Sequence, residues 1–253
     1  MWTISQILKA SWGTLKTRFR LYVLIACFVE VVTFGLDKLS NAHSPFVSLS
    51  ASIALILFSF VIGIGSINLI LKDIRKESVT YNDLFVEKKI LNQYLRGSTR
   101  VFIALLPFIF ILIGGGVFMA MTLGTFSPVG ASVGSIVVAC IMCASIVGSV
   151  VVGLRYYFFP YVILDEGLSA KEAIARSKDI TKGHIFKVFK FCVLIAVINI
   201  IGSILIVGSL ITLPLTMISA VHVYLKMKEG KDGIVILGEV DVLPVNTPQE
   251  TVQ

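Results

Sequence analysis

The stretch DEGLSAKEAIARSKDITKGH, residues 165–184, carries eight charged side chains in twenty, in a chain whose charged share is 15%. Its adjacent carboxylates, Asp165 and Glu166, are followed by Lys171, Arg176, Lys178 and Lys182. A carboxylate pair can do acid–base work, and an arginine can take a lipid phosphate in its planar fork. The competing chemistry is a staple in which Arg155 pairs with Asp165 or Glu166. Carboxylates with basic neighbours are more often structural than catalytic, which favours the staple over a phosphate site at Arg176. Ser177 lies on a face of small residues with Ala170, Ala173, Ile174 and Ile180, and such a face suits docking on other helices.

Other residues invite chemistry and offer less of it. Glu30 is a carboxylate inside an apolar run, where an ionisable group is costly and suggests a proton or cation relay. It lies about two turns from Asp37, towards water, so a snorkelled or structural role is preferred. Cys140 and Cys143 make a C-x-x-C, but on an apolar helix without a nearby His or carboxylate they read as packing residues. His43, His184 and His222 share no metal-ligand spacing, so neither a metal nor another cofactor is expected. Gly114, Gly115 and Gly116 follow no strand, which separates them from a phosphate loop.

The elements that hold these residues are apolar. Of the 253 residues 56% are hydrophobic, and the mean hydropathy is +0.92. Six runs have the length or composition of membrane spans: 21–36, 46–71, 101–126, 129–154, 188–207 and 209–225. They are continuous rather than alternating, which predicts helices. With the N-terminus inside, 21 of the 22 Lys and Arg fall in inner segments and only Lys38 lies outside. That bias places both termini in the cytoplasm. The net charge of +7 then reflects this bias and attraction to an anionic inner leaflet, not nucleic-acid binding. Small residues at 40–42 resemble a signal cleavage site, but they follow Asp37 and Lys38, so the first span is expected to stay.

Three inner segments share a layout: a hydroxyl cap, an amphipathic stretch and a basic end. They begin at Thr3, Thr80 and Ser169, the last with Glu172 as a capping box and Gly183 as a helix stop. The expectation is an all-α integral membrane protein of three hairpins, each preceded by a cytoplasmic amphipathic helix. Small residues along the fourth span, from Ala131 to Gly148, place that helix at the centre. Pro160 stops or kinks the chain, and the aromatics around it form an interfacial belt. Residues 226–253 read as a cytoplasmic tail.

The segment LRYYFFPYVILDEGLSAKEAIARSKDITKGHIFKVFKF, closed by GSLITLPLTMISAVHVYL, resembles a bacterial membrane family. It is the membrane domain attached to some glycerophosphodiester phosphodiesterases, with free-standing YciC-like inner-membrane proteins. The resemblance is sharpest over 154–225. In the enzymes, catalysis belongs to a soluble barrel with His, Glu, Asp and a divalent metal, and this chain has no room for one. The resemblance therefore implies a non-enzymatic inner-membrane protein that binds or organises lipid, a membrane partner or a second copy. A small transporter using Glu30 or the 165–184 segment is the alternative, and an intramembrane headgroup enzyme the third.

Overall fold

The computed structural model describes residues 3–41, 44–125, 132–204 and 208–233. Regular structure among them is entirely helical. It comprises α1 (Ile4–Thr17), α2 (Phe19–Ser40), α3 (Pro45–Ile74), a 3-10 turn (Tyr81–Leu84), α4 (Lys88–Thr125), α5 (Ser132–Tyr156), α6 (Phe159–Glu166), α7 (Ala170–Thr181), α8 (Ile185–Ile204) and α9 (Ser209–Asp232). Six of these, α2, α3, α4, α5, α8 and α9, are long and apolar enough to cross a membrane. The apolar run after Gly233 lies outside the described residues.

Local chemistry sets the boundaries. Thr3 and Gln6 cap α1 reciprocally, hydroxyl to backbone and side-chain carbonyl to backbone. The pair Thr80 and Asp83 closes only the 3-10 turn, not the separate helix expected there. Instead α4 begins at Lys88 and runs for 38 residues, through Pro107 and the three glycines. Its polar first turns and its apolar length are one element. Pro160 starts a helix rather than stopping one: it sits in the first turn of α6, where a missing N–H leaves nothing unpaired. α9 ends at Asp232, seven residues beyond the expected span, and Gly233 (φ 69°) closes it in the left-handed conformation.

The helices pack in sequential pairs, α2 with α3, α4 with α5, and α8 with α9, while α1 lies along α9. The central helix is α9, which touches α1, α2, α3, α7 and α8; every residue from Ile218 to Leu225 is buried. This corrects the expectation that the fourth apolar run would be central. On the small face of α5 Gly148 receives the Phe108 ring and Ser145 Oγ donates to the Phe108 carbonyl at 3.1 Å, whereas Cys140, Cys143 and Ala144 are exposed rather than packed. Large apolar side chains such as Phe34, Phe46, Phe110 and Ile204 point outward. The buried core gathers instead where α3, α6, α7 and α9 converge, with α1 against α9.

That core also corrects the aromatic belt. Phe158, Phe159 and Tyr161 are buried, and the rings of Phe158, Tyr161 and Tyr224 lie within 5.6–6.0 Å of one another. The break between α5 and α6 turns these rings inward, where edge and stacked contacts replace lipid.

Candidate functional site: a charged junction of four helices

The break between α5 and α6 strands backbone groups that a continuous helix would pair. Ser177, fully buried on α7, takes up two of them. Its Oγ accepts from the Phe158 N–H at 3.2 Å and donates to the Arg155 carbonyl at 2.8 Å. Ala170, Ala173, Ser177, Ile180 and Thr181 are the buried residues of α7, so at Ser177 the hydroxyl stands where water is shut out. The first turn of α7 is capped twice. Glu172 Oε2 accepts from the Ser169 N–H at 3.1 Å and from its hydroxyl at 2.7 Å, while Gln93 Oε1 of α4 accepts from the Ala170 N–H at 2.8 Å. These bonds hold the Glu172 carboxyl below its usual range. Gly183 (φ 82°) turns the chain just after this helix.

Asp165 and Glu166 are the last residues of α6. Carboxylates there oppose the helix dipole, so they need cations. The Asp165 side chain is 1% exposed and accepts from Arg75 Nη2, from Lys228 Nζ at 2.6 Å and from the Tyr224 hydroxyl at 2.8 Å. Lys228 Nζ also lies 3.0 Å from Glu166 Oε1, and Arg176 Nε lies 3.5 Å from Glu166 Oε2. Arg176 reaches both oxygens of Asp232 at 2.5 and 2.6 Å and Asp179 at 3.5 Å; Lys231 completes the chain on Asp179 at 3.1 Å. The bond to Asp232 raises the affinity of Arg176 for its proton, with Glu166 adding to the effect.

Four cations thus meet four carboxylates across α3, α6, α7 and α9. The expected staple is not formed: Asp165 and Glu166 pair with Arg75, Lys228 and Arg176, whereas Arg155 is exposed and its guanidinium has no partner among the described residues. The reason is geometric, since Arg155 ends α5 on the far side of the break from the end of α6. Arg176 is likewise held by carboxylates rather than left open. Glu30 lies elsewhere, half-buried on α2 and without an ion pair among the described residues.

A second junction secures α1 and α2 to the end of α3. Asp73 accepts from Arg18 Nε at 2.8 Å and from the Tyr22 hydroxyl at 2.6 Å, and Lys72 binds Asp83 at 2.6 Å. Asn68 donates to the Asp83 carbonyl at 2.9 Å, while His222 Nε2 lies 3.3 Å from Thr14 Oγ1 and joins α9 to α1. Sequence reasoning missed Arg75, Lys228 and Asp232. A signal existed for the last two: Tyr224, Lys228 and Asp232 follow at i, i+4 and i+8, one line along a continued α9.

Among the described residues no group of three His, Cys, Asp or Glu side chains comes together to hold a metal ion. The arrangement clamps helix ends: each carboxylate of the junction already has a cation. Comparison of the chain with family models, with curated proteins and with solved structures finds no match.

Proposed function

We propose that this chain is a non-enzymatic multi-pass protein of the bacterial inner membrane that binds and organises anionic lipid at its cytoplasmic end. The observation that carries this reading is the division of its charges. The residues that look catalytic neutralise one another in the four-helix junction, with Asp165 at its buried centre. The surplus of 22 Lys and Arg over 15 Asp and Glu therefore falls on exposed side chains such as Lys9, Lys16, Lys88, Arg100 and Arg155. A surface of that kind attracts an anionic leaflet.

In this reading the pairs α2–α3, α4–α5 and α8–α9 are membrane hairpins. α1, the first turns of α4, and α7 lie on the cytoplasmic side, with both termini there as the basic residues require. The resemblance to the membrane domain of glycerophosphodiester phosphodiesterases agrees with this layout and adds no catalytic residue.

Alanine substitution at Glu30, Arg155 and Arg176 tests the reading. Arg176→Ala lowers thermal stability, Arg155→Ala lowers retention of anionic lipid at unchanged stability, and Glu30→Ala changes neither. Loss of solute uptake by proteoliposomes of the Glu30 variant, with its fold intact, would favour the transporter instead.

A further inference from the structure

We infer that Arg96, Arg100 and Arg155 form a site for the phosphate of an anionic phospholipid, at the cytoplasmic end of the seam between α4 and α5. This deepens the lipid-binding reading and rests on it.

The first turns of α4 have two unlike sides. One is packed: the Phe159 ring presses on Gly97 so closely that a Cβ there would lie 2.7 Å from Cε2. Tyr94 stacks on the same ring at 5.8 Å, and Gln93 caps α7. At about 100° per residue, Lys88, Asn92 and Thr99 lie opposite this side, and Lys89, Arg96 and Arg100 lie along one flank of it. All six are exposed. None of the four cations has a carboxylate partner among the described residues, unlike Arg18, Lys72, Arg75, Arg176 and Lys228.

Register brings Arg155 to the same place. Phe108 meets Ser145 and Gly148, Gly115 meets Met142, and Gly97 meets Phe159, so α5 and its continuation run antiparallel to α4. Arg155 is then level with Arg100. On α4 the packed line runs through Gly97, Val101 and Phe108, and Arg96 and Arg100 each precede one of its members, on one flank. Arg155 continues the facing line seven residues after Gly148. Arg100 and Arg155 therefore lie at one depth, with Arg96 one turn further out on the same flank.

What lies beyond them selects the occupant. On the line of Arg96 the same helices at once expose Ile103 and Phe110 on α4, with Val147 and Val150 exposed on α5. A ligand that meets guanidinium at one end and apolar surface at the other is a phospholipid. The guanidinium fork suits phosphate oxygens and is weakly hydrated, so it can hold them at the edge of the hydrocarbon. Lys88 and Lys89, about two to three turns further out, act by longer-range attraction.

Native mass spectrometry of the full chain, released from nanodiscs of mixed phosphatidylcholine and phosphatidylglycerol, reads the site directly. The wild type keeps phosphatidylglycerol in preference. The triple variant R96Q/R100Q/R155Q keeps it about tenfold less or worse, given the attraction expected per basic residue. R96K/R100K/R155K retains the charge that directs insertion and loses preference several-fold with the fork, so it decides the matter if the Gln variant fails to insert. Wild-type preference in the Lys variant together with wild-type preference in any inserted Gln variant overturns the site and leaves the lipid reading standing. A wild type without preference overturns both. Displacement of the lipid by equimolar free glycerol phosphate also overturns the site, because its apolar half would then contribute nothing.

Discussion

Asp165 and Lys228 are 63 positions apart in the chain and meet at 2.6 Å, joining the end of α6 to the end of α9. Because the Asp165 carboxylate is nearly inaccessible and also receives Arg75 and Tyr224, its removal leaves Arg75 and the Tyr224 hydroxyl without their acceptor and Lys228 with Glu166 alone. Burial of ion pairs seldom adds net stability, yet breaking one is costly. The junction is thus a specificity device: it fixes which helix ends meet.

Asp165→Ala is expected to lower the stability of the solubilised protein by about 3 kcal/mol, the usual result of orphaning a buried charge. Thermal unfolding in mild detergent measures it. Adding Arg75→Met to that variant recovers part of the loss, because the cation orphaned by the first change disappears with it. A wild-type melting temperature for Asp165→Ala would remove the junction from the fold's support.

Ser177→Ala deletes one oxygen that serves two backbone groups at the break between α5 and α6. The cost is about 1–3 kcal/mol, that of a buried donor left unsatisfied. Amide exchange at Phe158 should quicken while exchange in α2 stays unchanged.

Two neighbouring glycines of α3 should respond in opposite ways. A Cβ on Gly65 runs into the carbonyl oxygen of Leu84, a backbone atom that cannot step aside, whereas a Cβ on Gly63 meets open space. Gly65→Ala is expected to cost about 1–3 kcal/mol or more, as overpacking does. Gly63→Ala should be neutral or stabilise by up to about 1 kcal/mol through helix propensity. Melting temperatures of the pair provide the comparison.

Glu172 gives a pH-dependent readout. Hydrogen bonds from Ser169 lower its folded value below the unfolded one, so its contribution is full above the ordinary Glu range and is lost as pH falls through the folded value. Exchange protection in the first turn of α7 should therefore weaken on acidification. Glu172→Gln flattens that dependence while leaving the neutral-pH fold intact.

Local signals made much of this fold readable. Continuous apolar runs announced six long helices, and the small face of α7, its capping residues and the turn at Gly183 were all visible within twenty residues. What escaped was set by distance along the chain. Asp165 was seen as one member of a pair, but its partners Arg75 and Lys228 lie on other helices, and no local pattern ranks them above Arg155. The continuation of α9 was hidden because KMKEGKDG is as polar as a linker; only its spacing after Tyr224 betrays a helix. The burial of Phe158 and Tyr161 depended on the chain breaking at 157–158, which the sequence around Pro160 announces without giving its direction.

The decisive measurement is purification of the full chain from bacterial membranes in native-lipid particles, followed by mass spectrometry of everything retained. An anionic phospholipid enriched over the surrounding membrane, with no stoichiometric small solute, is the outcome expected of a lipid-binding, non-enzymatic membrane protein. A substrate-like solute recovered at one per chain, or bound lipid of the same composition as the bulk membrane, would contradict it.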